Sequence, residues 1–320
     1  MENAVESVSL ASLSPHDDKW RVGKTLSEII AELLFGTMYH AHALRMMSCS
    51  ENLTFTQSHN PETGELKLKL NQVYLCKVRH CPLCSRARSR VWKARLHEGI
   101  PKFVADYPTA KFILLTLTWL NIPITELRDS LNGSSKAFDR LMKRRGVKPY
   151  VLGYIRTMEV TRNAETGEVN AHYHVILAVT PNYYSRGYIS QALWATMWQE
   201  SLKVSYTPNV YVQAVKPNPN LVNDPTGLAS SIMEVSKYCV KHTDMLHDRD
   251  WLVELTTQLH GTKHIVLGGL IKQYVNSSDP KEEDILKAAN EDNELEPDIE
   301  LDKMYFHWHK RESNYFLSNR

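Results

Sequence analysis

No run of eighteen consecutive apolar residues occurs in the 320-residue chain, so it holds no stretch long and apolar enough for a membrane-spanning helix. Residues 1–20 lack a basic stretch followed by an apolar one, and no secretory signal is read there. Cysteine is scarce and odd in number: five residues, three of them crowded between Cys76 and Cys84. That pattern argues against a disulfide framework and for a reducing compartment, with a cytoplasmic location as the expectation. No internal repeat is present. Net charge is also small, at +2. The small sum conceals two opposed distributions. Eleven of the 36 acidic side chains and three of the 38 basic ones lie between Ser278 and Lys303, which leaves 35 basic against 25 acidic residues elsewhere.

The basic excess is clustered. Lys77, Arg79, Arg86, Arg88, Arg90, Lys93 and Arg95 occur with no acid among them, and Lys136, Arg140, Lys143, Arg144, Arg145 and Lys148 form a second block broken only by Asp139. Such blocks suit phosphate contacts, whose counterion release drives nucleic-acid binding. The candidate DNA contacts are Arg79, Arg86, Arg88, Arg90, Lys93, Lys143, Arg144 and Arg145.

Four regions follow from the pattern along the chain: a disordered N-terminus over 1–25, a helical and cysteine-rich region over 26–108, a sheet domain over 109–275, and an acidic tail over 276–320. Residues 26–47 read as one helix with Ile29, Ile30, Leu33, Leu34 and Met38 inward. Residues 60–64 read as a turn between short strands, and 86–106 as a basic helix. Strands are expected over 111–119, 150–162, 171–180, 209–216 and 263–267, with helices over 134–146, 190–202 and 227–246. The fold class is α+β: an antiparallel sheet with helices on one face, plus a small metal-binding segment.

Three motifs carry chemistry. The first is Cys76, Cys81 and Cys84, with Pro82 forcing a turn between the last two. Thiolates at this spacing fit a tetrahedral structural zinc site, for which Cys49 is the leading fourth ligand and His80 and His97 are alternatives. A redox role is disfavoured because the strand-then-helix context of thioredoxin-like proteins is missing.

The second motif is an H-x-H pair. His40 and His42 fall in a helical pattern, where residues two apart point to nearly opposite sides. His172 and His174 fall on a strand, where residues two apart share a face and can chelate together. If the preceding hairpin turns at Thr166 and Gly167, His174 stands opposite Glu159 and His172 opposite Thr161. Glu159 then joins both imidazoles, unless the register slips by one residue.

The third motif is a tyrosine. On a continuous helix over 227–246, Ile232, Val235, Cys239 and Leu246 form a buried stripe, while Glu234, Tyr238 and Lys241 share another face. Lys241 would favour the phenolate of Tyr238, whose free pKa near 10 leaves little of it at neutral pH. Tyr183 and Tyr184 are rival nucleophiles.

A Thr-bearing strand, then a His-x-His strand, then a Tyr-x-x-Lys helix is the order found in HUH endonucleases, and the chain resembles the rolling-circle replication initiators of small bacterial plasmids. Cys76, Arg79, Cys81, Pro82, Cys84 and Arg86 match the C-x-x-R-x-C-P-x-C-x-R stretch of the group with a cysteine-rich segment. Glu159, His172 and His174 match its second motif, and Glu234, Tyr238 and Lys241 its third. The resemblance covers about residues 45–275, and His80 departs from it. It implies a five-stranded sheet, a catalytic Mg²⁺ or Mn²⁺ on Glu159, His172 and His174, and structural Zn²⁺. It further implies nicking of one strand at a double-strand origin by Tyr238, giving a 5′-phosphotyrosine and a priming 3′-hydroxyl. Glu234 would activate water at termination, and a host helicase and DNA polymerase would be partners. The alternatives are a relaxase or single-strand transposase with the same chemistry, or a zinc-stabilised DNA-binding regulator without catalysis.

Overall fold

The computed structural model describes residues 8–59, 66–216, 227–236, 239–278, 280–289 and 303–318. Its elements begin with α1 (Leu10–Leu13), α2 (Lys19–Leu34), α3 (His40–Met47), β1 (Asn52–His59), β2 (Leu66–Val73) and α4 (Pro82–Asp106). They continue with β3 (Lys111–Thr118), α5 (Leu127–Met142), β4 (Val151–Arg162), β5 (Val169–Val179), α6 (Asn182–Arg186), α7 (Gln191–Leu202) and β6 (Val210–Ala214). The last are α8 (Leu228–Val235), α9 (Arg249–Leu259), β7 (Ile265–Gly269), α10 (Glu282–Ala289), β8 (Lys303–His309) and β9 (Asn314–Leu317). The chain divides into two compact units, one of Met1–Val91, Met245–Arg249 and Pro280–Arg320, the other of Trp92–Asp244 and Asp250–Asp279.

The first unit is built on an antiparallel sheet of order β2-β1-β8-β9. The two C-terminal strands alternate as a half-buried strand should: Phe306, Trp308 and Tyr315 are buried, and the Phe55 and Phe306 rings meet edge-on at 5.9 Å. The Tyr315 hydroxyl donates to the Ser50 carbonyl at 2.7 Å. The expected acidic tail therefore ends in two strands of the first unit's sheet. The acidic residues before them masked this aromatic alternation, and the partner strand, β1, is some 250 residues away in sequence. Most of the acidic run, 290–302, lies outside the described residues.

The N-terminus also differs from expectation, since residues 10–25 are largely helical. Ser9 caps α1 by accepting from Ser12 N–H at 3.2 Å, and Leu10 and Trp20 are buried anchors. α2 starts at Lys19 and buries Trp20, Lys24, Ser27, Ala31 and Leu34, a 3.5-residue period. The single helix expected over 26–47 breaks at Gly36, whose φ of 72° suits glycine. Ile29 and Met38, expected inward, are exposed. The turn expected over 60–64 lies outside the described residues, although β1 and β2 pair antiparallel as it requires.

The second unit holds the expected five-stranded antiparallel sheet, in order β6-β3-β5-β4-β7. Odd-numbered residues of β5 face α5 and α7, with the Tyr173 ring 6.2 Å from Phe138 and the Ser134 and Tyr173 hydroxyls 2.8 Å apart. Ser134 thus sits buried inside α5, which begins seven residues before the expected start. The even face is covered at one end by Leu96, Ile100 and Phe103 of α4 and Leu228, Ile232 and Val235 of α8, packed on Ile176 and Ala178. Helices consequently lie on both faces, and His172 and His174 emerge at the less covered end of the second.

The helix expected over 227–246 stops at Val235, with Ser236 as its cap. Beyond Thr157, β4 no longer pairs with β7, and the N–H of fully buried Val160 requires an acceptor. The Cys239 carbonyl supplies it at 2.7 Å, and Val240 bridges to Val160 in parallel. Cys239, expected in a buried helical stripe, is half-buried.

Candidate metal centres

Two groups of side chains among the described residues can each hold a metal ion. In the first unit, Cys49 follows α3, Cys76 follows β2, and Cys81 and Cys84 flank the start of α4. All four are buried. Their sulfurs lie 3.7 Å (Cys49 to Cys84), 3.5 Å (Cys76 to Cys84) and 3.6 Å (Cys49 to Cys81) apart. A tetrahedral ion with metal–sulfur bonds of about 2.3 Å sets its ligands about 3.8 Å apart. A disulfide would bring sulfurs to about 2.05 Å. The spacing is therefore compatible with zinc on four thiolates, and Cys49 completes the set in place of His80 or His97. His80 is buried and His97 is exposed, and neither belongs to the group.

Hydrogen bonds polarise this cluster. Burial pushes the Cys81 thiol up, but its hydrogen bonds with Cys49, Cys76, Cys84 and Ser27 outweigh it and hold the group well below its ordinary value, while the Cys49 and Cys84 thiols of the same cluster are pushed up. Backbone N–H groups of Cys76 and Lys77 donate to the Cys49 and Cys84 sulfurs at 3.4 and 3.2 Å. Donors aimed at sulfur stabilise thiolates, the form a metal needs.

In the second unit, β4 and β5 pair with Glu159 opposite His172 and Thr157 opposite His174. The register differs by two residues from that expected, because the loop 163–168 is centred on Glu165 and Thr166 rather than on Thr166 and Gly167. A shift of two preserves the face. Glu159 Oε2 therefore lies 3.4 Å from His172 Nε2 and 3.1 Å from His174 Nε2. Adjacent ligands around an octahedral ion with bonds of about 2.1 Å are about 3 Å apart, so one carboxylate and two imidazoles at these distances fit such an ion. Side-chain exposures of 13–16% leave one side open for other ligands. The two imidazoles, His172 first, hold the Glu159 carboxyl well below the usual carboxylate range, against the opposing effect of burial.

The outer nitrogens of both rings are also engaged. Asn170 Oδ1 lies 3.1 Å from His172 Nδ1, and Asn170 Nδ2 donates to Asn121 Oδ1 at 2.8 Å. Thr116 Oγ1 lies 3.3 Å from His174 Nδ1. Protons held at Nδ1 by these partners would leave each Nε2 lone pair for a bound ion. These three supporting residues went unread in the sequence. Asn170 was findable, since it shares strand parity with His172 and His174. Asn170→Ala is expected to weaken Mn²⁺ binding about 10- to 100-fold, as read by calorimetric titration. Unchanged affinity would mean that the strand alone orients the ring.

Glu234 of α8 reaches the same place, with Oε1 3.6 Å from His174 Nε2. Tyr238 lies outside the described residues. Lys241 is exposed and lies past the end of α8, so no continuous helix puts it on a face with Glu234. Of the rival tyrosines, Tyr183 is buried, with its hydroxyl between the Ile189 carbonyl and the Trp194 indole N–H. Tyr184 is on α6, beyond the far end of β5 from the histidines. A third H-x-H pair, His307 and His309, lies on β8. Asn52 Oδ1 lies 2.9 Å from His307 Nδ1, and Glu312 is 3.9 Å from His309, so no three donors converge there.

The basic candidates divide. Arg86 and Arg90 line a groove with Lys19, Trp20, Leu83, Ala87 and Ile285. Burial pushes the Lys19 ammonium down, Asp17 opposes this, and Arg90 and Arg86 add to it. The Arg88 guanidinium donates to the Lys77 carbonyl at 2.5 Å, and Arg79 is half-buried. Lys93, Lys143 and Arg145 are exposed, whereas Arg144 forms an ion pair with Glu200. Arg95 and Arg140, also in the basic blocks, bond to backbone carbonyls of Asn276, Ser278 and Ser201.

The sequence pattern of a family described as "Replication protein" matches residues 67–316. The chain is 36% identical over 310 residues to a "Protein rep" of Lactiplantibacillus plantarum, covering 93% of this chain and 95% of that protein. It is 29% identical to a "Protein rep" of Streptococcus pneumoniae serotype 2, covering 95% and 93%. A "Replication protein" of Staphylococcus aureus is 30% identical over 68% of this chain and 95% of its own length. No solved structure matches the chain.

Proposed function

The chain belongs to the replication protein family, the plasmid rolling-circle initiators, and from that premise we propose that it nicks one strand at a plasmid double-strand origin. The observation that carries this reading is the Glu159 carboxylate set between the Nε2 atoms of His172 and His174 on an open sheet face. A divalent ion there, Mg²⁺ or Mn²⁺, supplies Lewis-acid polarisation of the scissile phosphate. Glu159 contributes the negative charge that such an ion requires, and the two imidazoles contribute neutral donors. Thr116 and Asn170 keep those donors aimed.

Tyr238 is the nucleophile in this reading. Its phenolic oxygen forms a bond to phosphorus as the bond from phosphorus to the 3′ oxygen breaks. The phenolic proton leaves to solvent and the departing oxygen takes one up as a 3′-hydroxyl. The phosphodiester energy is retained in the 5′-phosphotyrosine, so rejoining needs no nucleotide cofactor. Glu234, 3.6 Å from His174, accepts a proton from water at the terminating cleavage. Lys241 offsets charge on the phenolate or phosphate. Arg79, Arg86, Arg88, Arg90, Lys93, Lys143, Arg144 and Arg145 are the proposed backbone contacts, with Arg144 first having to leave Glu200. Zn²⁺ is the proposed ion of the four cysteines. A host helicase and DNA polymerase are the proposed partners, and the cytoplasm is the proposed location.

The test is incubation of the protein with labelled single-stranded origin DNA and Mn²⁺, resolved on a denaturing gel. A labelled protein–DNA adduct is expected, lost in Tyr238→Phe and in EDTA. An adduct that survived Tyr238→Phe would move the nucleophile to another tyrosine. Tight binding without any adduct would favour a non-catalytic DNA-binding regulator.

A further inference from the structure

The sheet face that holds Glu159, His172 and His174 also carries a large exposed side chain that neither the core nor the metal ligands use. Thr116 of β3 stands opposite His174 on one neighbouring strand and opposite Tyr211 of β6 on the other. Residues paired across strands project from the same face, so Tyr211, Thr116 and His174 form one row across the sheet. β6 is an edge strand whose Val210 is buried on the opposite face, while Tyr211 and Gln213 are exposed. The Tyr211 side is 54% accessible, and its hydroxyl donates to Gln213 Oε1 at 3.4 Å.

The ring has polar company: Thr116 beside it, Gln213 next along its own strand on the same face, and Thr118 two residues beyond Thr116. A protein partner would need a contiguous apolar patch there, and the threonines and glutamine do not make one. A nucleobase has no such need, because one flat face on one aromatic ring suffices. Distance agrees with that occupant. Neighbouring strands are about 4.8 Å apart, so Tyr211 stands about 10 Å from the His174 column, a span of about two nucleotides of an extended strand.

We propose that Tyr211 is a stacking platform for an unpaired base of single-stranded DNA, next to the phosphodiester held at Glu159, His172 and His174. The inference rests on the nicking reading for its choice of ligand. The ring makes a contact tolerant of base identity, and the metal ligands fix where the phosphate lies.

The test uses the full chain in EDTA, where chemistry is silent, with single-stranded oligo(dT) carrying one 2-aminopurine. Wild type is expected to quench the fluorescent base by stacking. Tyr211→Phe keeps the ring and is expected to keep both quenching and affinity within about twofold. Tyr211→Leu is expected to lose quenching and to bind about 5- to 150-fold more weakly. Quenching and affinity left unchanged by Tyr211→Leu would overturn the inference while leaving the nicking reading intact. Equal losses in the Phe and Leu variants would also overturn it, because the hydroxyl would then be the contact. Stacking as expected, with no adduct on labelled single-stranded origin DNA once Mn²⁺ is restored, would support the platform and defeat the nicking reading instead.

Discussion

Glu159→Ala is expected to slow adduct formation by about 10³-fold or more at modest Mn²⁺ concentration, the effect of losing several kcal/mol of transition-state stabilisation. Glu159 is the carboxylate of a set whose other two members are imidazoles, which bind a metal in their neutral form. Without it, two ring nitrogens remain, and a hard divalent ion prefers oxygen donors. Apart from the ion, the loss removes only the carboxylate's contacts with His172 and His174. Glu159 is half-buried at the open end of the sheet, and its side chain takes no part in the apolar cluster of that face. DNA affinity in EDTA and the thermal midpoint should therefore stay near wild type. High Mn²⁺ is expected to restore part of the rate, because the two histidines still offer a weak site. Single-turnover rates across a Mn²⁺ titration check this. A wild-type rate at low Mn²⁺ would show that the chemistry does not run through this triad.

Cys81→Ser is expected to cost the first unit its cooperative fold. A structural zinc on thiolates contributes roughly 10–16 kcal/mol of apparent binding energy, which equals or exceeds the roughly 5–15 kcal/mol that holds a typical domain folded. The four cysteines join segments that are distant in sequence: the end of α3, the end of β2 and the start of α4. The first unit's sheet would lose the anchor at which β1 begins and β2 ends. Zinc content per chain should fall from one to near zero, and amide exchange in β1, β2, β8 and β9 should rise towards that of an unfolded chain. Prolonged chelation of wild type should give the same exchange pattern. A Cys81→Ser protein that kept its protection would mean that packing of Phe55, Phe306, Trp308 and Tyr315 suffices without an ion.

Much of the two donor clusters was legible because it is local. The cysteine spacing around Pro82 needs only a short peptide to make sense, and Cys49 was recoverable because its segment leads into the adjoining strand. The shared face of His172 and His174 follows from the two-residue period of a strand. That period also made the inclusion of Glu159 survive a misjudged loop, since a slip of two residues leaves parity intact.

What the sequence by itself determined was therefore the donor sets and the α+β class. Only the tertiary structure decided where elements end and which distant segments pair. α8 stops at Val235, and the Cys239 carbonyl accepts from a buried N–H on β4, a partner absent from any helical wheel. β8 joins β1 across some 250 residues, and Gln213 and Tyr211 reach the histidine face only because β6 pairs with β3. Periodicity is a property of a few neighbouring residues. Hydrogen-bond satisfaction and burial depend on whichever segment arrives alongside, and the folded chain alone specifies that.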